Sequence, residues 1–235
     1  MTFFRSVDRR KRRGFPESPT AASSGESLYP KPVHGHMVTI IDYGSGNLRS
    51  VQKAFERIGA AAAITDDPQV IAEADRIVLP GVGAFGDAMQ SLRSRGLVEP
   101  ILAHLRADRP FFGICMGLQL LFETGWESGR QPGLGVLGGD VARFSLPPGM
   151  KVPHMGWNTV SWRGPQAPSR GQGDYYYFVH SYYARPSDPT VIAATADYGG
   201  DFCAAVARGR LLATQFHPEK SQIVGMQLLQ TFLKL

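Results

Sequence analysis

The chain has 235 residues, of which 43% are hydrophobic, 10% aromatic and 19% charged, a composition that fits one or two globular domains and excludes disorder throughout. No run reaches the roughly 18 consecutive apolar residues of a membrane helix, and the N-terminus lacks the apolar core of a secretory signal, so a cytoplasmic location without a membrane partner is expected. The net charge of +5 is uneven: residues 1–36 carry seven Lys or Arg against three Asp or Glu, whereas the remainder holds 18 against 17.

Residues 1–36 combine the cluster Arg9, Arg10, Lys11, Arg12, Arg13 with a stretch rich in Ser, Pro, Gly and Ala. Neither part has helical or strand periodicity, which predicts a disordered basic arm. Its charge run reads as a solvated tail, with nucleic acid or an acidic partner as the alternative. A folded domain is expected over residues 37–235. Val38–Asp42 reads as a strand, and Gly44–Gly46 as a turn into a helix whose Leu48, Val51, Phe55 and Ile58 recur at helical spacing. A strand over Ala62–Thr65, a short helix over Val70–Ala74 and a strand over Arg76–Leu79 follow, with Pro80 expected to end the last. Helical segments then reach Arg106, ahead of an apolar strand Phe111–Ile114 and a helical run Leu118–Glu123. This alternation predicts an α/β fold, a doubly wound and mostly parallel sheet with helices on both faces. Beyond Gly125, strand-like pieces at Thr159–Trp162, Tyr175–Val179, Val191–Ala194, Ala204–Ala207 and Leu211–Gln215 predict an antiparallel extension, closed by a helix over Ser221–Lys234.

Two cysteines cannot form a disulfide framework, and neither belongs to a C-x-x-C pair. Cys115 lies in Gly113-Ile114-Cys115-Met116-Gly117, between an expected strand and an expected helix. Side chains flanking such an elbow would collide with the neighbouring strand and helix, so glycines permit the sharp turn that projects a nucleophile. The free N–H groups and macrodipole of a helix N-terminus would further favour a thiolate. Cys203 has no such setting and reads as core. A thiolate nucleophile needs a base, and His217 follows a strand-like run and precedes Pro218-Glu219. Glu219, two residues on, is spaced to orient the imidazole. There is no P-loop and no metal-spaced cluster, and Arg49 stands where a dinucleotide fingerprint needs its third glycine, so neither a cofactor nor a metal is expected.

These residues resemble the class I glutamine amidotransferases, whose triad is Cys, His and Glu in this order. The likeness covers almost all of residues 37–235. Ile41–Leu48, Pro80–Phe85 and Pro153-His154-Met155-Gly156-Trp157-Asn158 are most similar to the branch that supplies the glutaminase subunits of imidazole glycerol phosphate synthases. The resemblance implies hydrolysis of glutamine by Cys115, His217 and Glu219. It implies oxyanion donors at Met116 and at Val82, in a Pro80–Gly83 loop that must reorient. Substrate contacts are implied at Gly83, Gln119, Glu127, Ser181 and Tyr182, with His180 a neighbour rather than the base. It also implies a synthase partner with a (β/α)8-barrel, forming a heterodimer through Asn47, Pro153, His154, Met155, Trp157 and Asn158. Two alternatives stay open: a subunit of another class I amidotransferase, and a non-catalytic protein on this fold whose basic arm contacts nucleic acid. The complete Cys115, His217 and Glu219 set weighs against the second.

Overall fold

The computed structural model describes residues 37–164, 167 and 174–235; the arm expected over residues 1–36 lies outside them. The chain runs β1 (Met37–Ile41), α1 (Leu48–Arg57), β2 (Ala61–Thr65), α2 (Pro68–Glu73), β3 (Ile77–Gly81), α3 (Phe85–Ser94), α4 (Val98–Arg106) and β4 (Phe111–Cys115). A single turn, α5 (Met116–Gln119), leads to β5 (Phe122–Gly125), β6 (Gln131–Pro132), β7 (Leu137–Arg143), β8 (His154–Thr159) and β9 (Ser161–Trp162). The remainder is β10 (Tyr175–His180), β11 (Tyr182–Pro186), β12 (Ile192–Asp197), β13 (Asp201–Arg208), β14 (Leu211–Thr214) and α6 (Gln222–Leu233).

An eight-stranded sheet in the order β2-β1-β3-β4-β14-β13-β12-β9 forms the centre. Its first five strands are parallel and the last three antiparallel. The parallel strands read as continuous apolar runs because both faces are covered. Phe112, Ile114 and Val78 enter one core with Phe55 of α1 and Phe232 of α6. Phe111, Ile77 and Leu79 enter the other with Ile71, Met89 and Ile101 of α2, α3 and α4. The period-2 alternation of a strand thus divides adjacent residues between two cores. Phe112 stacks on Phe232 with ring centroids 5.3 Å apart.

Two expectations are corrected. Pro80 does not end β3, which continues to Gly81 with Pro80 opposite Ile114. Pairing with β1 has stopped at Val78, so no ladder bond on that side requires the missing proline N–H. The helical run expected over Leu118–Glu123 is the one-turn α5 followed by β5. The Phe122 strand pairs with β7 and β6 in a four-stranded sheet β11-β7-β5-β6 that the chain pattern did not announce. A short apolar run fits helix or strand equally, and here the pairing partner decides. Strands β8 and β10 form a separate antiparallel pair.

Candidate active site

The loops leaving the carboxyl ends of β1, β3 and β4 converge, as expected where an open parallel sheet binds ligands. Cys115 ends β4 at φ +54°, a left-handed backbone uncommon for a non-glycine residue. Its neighbours explain how the turn is accommodated. A Cβ on Gly117 would stand 1.8 Å from the Leu79 carbonyl oxygen, and one on Gly113 would stand 2.7 Å from the Gly117 carbonyl oxygen. Only glycine lets strand and turn approach this closely. With α5 reduced to four residues, the macrodipole anticipated at Cys115 is correspondingly small.

Beyond β14 the chain enters a 3-10 turn over Pro218–Lys220, with His217 as its first flanking residue. His217 Nδ1 lies 2.8 Å from Glu219 Oε1. Burial alone would pull the imidazole down, but the thiol of Cys115 and the carboxylate of Glu219 together raise it to about 10. Among the described residues Nε2 is buried without a partner of hydrogen-bond geometry, while the Cys115 sulfur is near enough to couple to the ring. The three side chains expected to act as nucleophile, base and orienting acid are therefore brought together. Cys203 is buried elsewhere, its Sγ donating to the Ala205 carbonyl at 3.5 Å, and burial pushes it up to about 12.

A cavity of about 310 Å³ opens on Cys115, with Val82, Gly83, Met116, Gln119, Glu127, Ser181 and Tyr182 among its walls. That volume lies at the lower end of small-ligand sites, about 300–1,000 Å³. Glu127 Oε2 accepts from the Phe85 N–H at 2.7 Å, giving α3 the cap that Ala84 cannot offer. On the opposite side of the Gly81–Gly83 loop, Ser45 Oγ donates to the Val82 carbonyl at 2.6 Å. Tyr43 fills the space under Gly81, its hydroxyl oxygen 1.9 Å from where a Cβ would stand.

Gln119 Nε2 donates to the Tyr182 carbonyl at 3.0 Å and to Gln215 Oε1 at 3.1 Å. Gln215 Nε2 in turn donates to Cys115 Sγ at 3.6 Å. Gln215, fully buried, is the contact that sequence reasoning missed. Its signal was a polar pair, Thr214 and Gln215, set between the apolar run Leu211–Ala213 and Phe216; the register pairing Thr214 with Ile114 carries Gln215, one residue past the strand, alongside Cys115.

His180 is removed from any role as base because both ring nitrogens are engaged. Its Nδ1 donates to the Tyr182 carbonyl at 2.8 Å, and Nε2 meets His154 Nδ1 at 3.1 Å. A carbonyl only accepts, so His180 carries its proton on Nδ1 and accepts on Nε2 from His154; Asn158 Nδ2 then donates to His154 Nε2 at 3.3 Å. Burial holds His180 down to about 3 and His154 to about 4, consistent with two neutral rings.

This geometry corrects one expected surface residue. His154 is buried, stacked on Tyr198 with centroids 4.0 Å apart. Strand alternation along β8 turns Met155 and Trp157 outward, at 65% and 47% exposure, and His154 inward. Pro153 is exposed and Asn158 half-buried. Asn47 is exposed and caps α1, its side chain accepting from the Ser50 N–H at 3.4 Å.

The family model described as glutamine amidotransferase class-I matches residues 39–235. The imidazole glycerol phosphate synthase subunit HisH of Rhodopirellula baltica is 59% identical over 197 residues, covering 83% of this chain and 96% of that protein. The HisH subunit of Syntrophotalea carbinolica is 55% identical over 206 residues, covering 83% and 98%, and that of Methanothermobacter thermautotrophicus is 50% identical over 200 residues, covering 85% and 98%. Among solved structures, PurLQS from Thermotoga maritima superposes with a TM-score of 0.67 at 20% identity over 87% of this chain and 99% of that one. A second, titled glutamine amidotransferase, gives 0.66 at 21% identity over 84% and 97%. The chain belongs to the class-I glutamine amidotransferase family, in the branch of the HisH subunits.

Proposed function

We propose that this chain is the glutaminase subunit of an imidazole glycerol phosphate synthase, hydrolysing glutamine to glutamate and passing ammonia to a synthase subunit in histidine biosynthesis. The observation that carries the reading is Cys115, at positive φ on the wall of a small cavity, coupled to a buried His217–Glu219 pair. The Cys115 thiolate attacks the side-chain carboxamide carbon, and His217 gives its proton to the departing nitrogen as the C–N bond breaks. The glutamyl thioester is then attacked by water, which loses its proton to His217; the C–S bond breaks, freeing glutamate and the thiolate. Glu219 orients the imidazole and balances its charge.

The N–H groups of Met116 and Val82 supply the oxyanion hole, each such donor contributing on the order of 3 to 4 kcal/mol. Ser45 grips the Val82 carbonyl and Gly83 holds φ +98°, which supports a loop whose peptide must rotate before Val82 can donate. Gly83, Gln119, Glu127, Ser181 and Tyr182 hold the substrate. The partner, a (β/α)8-barrel in a heterodimer, docks where Met155 and Trp157 stand exposed beside Pro153, residue types that anchor protein interfaces. Asn47 and Asn158 border that contact. Among the described residues no helix is long and apolar enough to cross a membrane.

The test is glutamate release from glutamine by the chain alone, with a matching synthase subunit, and with that subunit plus its nucleotide ligand. Release is expected mainly in the third condition. Release indifferent to the partner would identify a free-standing amidase, and silence in all three with Cys115 still open to alkylation would move the assignment to another substrate.

A further inference from the structure

The mechanism above makes no use of Gln215, although it is the fully buried side chain whose amide reaches the nucleophilic sulfur. The direction of every bond around it follows from one fixed acceptor. The Tyr182 carbonyl only accepts, so the Gln119 amide turns its nitrogen toward it. That nitrogen also faces Gln215, which must therefore present its oxygen to Gln119 and its nitrogen to Cys115. Neither amide can flip without placing two donors or two acceptors face to face, a costly arrangement at buried positions. Gln119 has committed its nitrogen to two acceptors, which leaves Oε1 as the amide atom this cavity-lining residue offers a ligand.

We propose that Gln215 is a positioning residue for the reaction: one amide donates to the Cys115 sulfur and accepts from Gln119, holding the nucleophile and the substrate-facing amide in a single fixed relation. A neutral donor suits this place. A lysine would compete with His217 for the thiolate, and a carboxylate would repel it. The amide stabilises the sulfur's charge while keeping it in line with the cavity. The role rests on the glutaminase reading for its substrate arm, and the test separates the two.

Two variants are compared with the parent chain by iodoacetamide alkylation of Cys115 across pH, with mass spectrometry locating the label and the buried Cys203 as the internal unreactive thiol. Gln215→Met keeps the length and removes both polar atoms. Gln215→Glu keeps an oxygen for Gln119 and removes the amide donor. Gln215→Met is expected to alkylate about tenfold more slowly at neutral pH, the cost of one hydrogen bond to a charged group, and Gln215→Glu more slowly still because its carboxylate also repels the thiolate, with the rate profile of each moved to higher pH. Glutamine turnover with the synthase subunit present should raise KM in Gln215→Met and leave it near the parental value in Gln215→Glu, with kcat reduced in both. If Gln215→Met does not fold, as judged by its thermal transition, the neutral Gln215→Leu replaces it and decides the sulfur arm. Parental alkylation rates and profiles in a folded variant would overturn the proposal. A parent chain that alkylates normally but releases no glutamate would instead overturn the glutaminase reading and leave the alkylation comparison valid.

Discussion

Glu219 Oε1 lies 2.8 Å from His217 Nδ1, and the two side chains are only 2% and 4% exposed. A charge held this far from water acts on its partner with little screening, so Glu219 both fixes the His217 tautomer and favours the imidazolium. Replacing Glu219 with Gln retains the shape and loses the charge. Glutaminase kcat is expected to fall by roughly 10² to 10⁴, with far-UV circular dichroism unchanged; a loss under threefold would remove Glu219 from the triad.

Cys115→Ala and His217→Ala are each expected to eliminate glutamate release while preserving the thermal transition and synthase binding measured by calorimetry. Because the triad acts as a unit, the double variant should be no worse than either single one. Parental release from Cys115→Ala would sink the thioester mechanism.

The buried histidines make stability depend on pH in two opposite ways. Burial first of all lowers His104 and His154 to about 4 and His180 to about 3, so below pH 6.5 the unfolded chain binds protons that the native chain refuses. Their contribution is intact above that pH and lost as pH falls, up to about 2 kcal/mol each by pH 5. His217, raised to about 10, stabilises fully below pH 6.5 and loses its contribution as pH rises toward 10. Thermal midpoints should therefore decline on both sides of neutrality, and His104→Leu should flatten the acid limb. An acid limb identical in that variant would remove His104 from the account.

Gly117→Ala is expected to destabilise the chain by about 2 to 3 kcal/mol in urea unfolding, because its methyl group meets the Leu79 carbonyl of β3 and either the strand or the elbow must move. Glutaminase activity should fall with it, since the elbow aims Cys115. An unchanged midpoint would mean that the strand yields easily.

Trp157→Ala should weaken synthase binding about thirtyfold, the loss typical of an exposed aromatic anchor, without changing Cys115 alkylation. His154→Ala should instead lower the thermal midpoint, because its ring is packed on Phe178 and Tyr198. Equal synthase affinity for Trp157→Ala and the parent would place the interface elsewhere.

The chemistry of the site was legible in one dimension wherever a local requirement dictates residue type. A sharp strand-to-turn elbow demands Gly113 and Gly117 around Cys115, a base needs an orienting acid such as Glu219 two residues from His217, and strands covered on both faces must be apolar throughout, as Phe111–Ile114 is. Other features depend on partners distant in the chain. Phe122–Gly125 is a strand because β7 and β6 lie beside it, and Pro80 stays inside β3 because β1 has already ended. His154 turns inward because the β8–β10 register sets it opposite His180, whereas its neighbour Met155 turns out. Gln215 reads as an ordinary polar residue until β14 is laid against β4, one hundred residues apart in the chain. Composition and local spacing determined the fold class and the candidate reacting groups; long-range strand register, which no local pattern encodes, decided which polar side chains surround them.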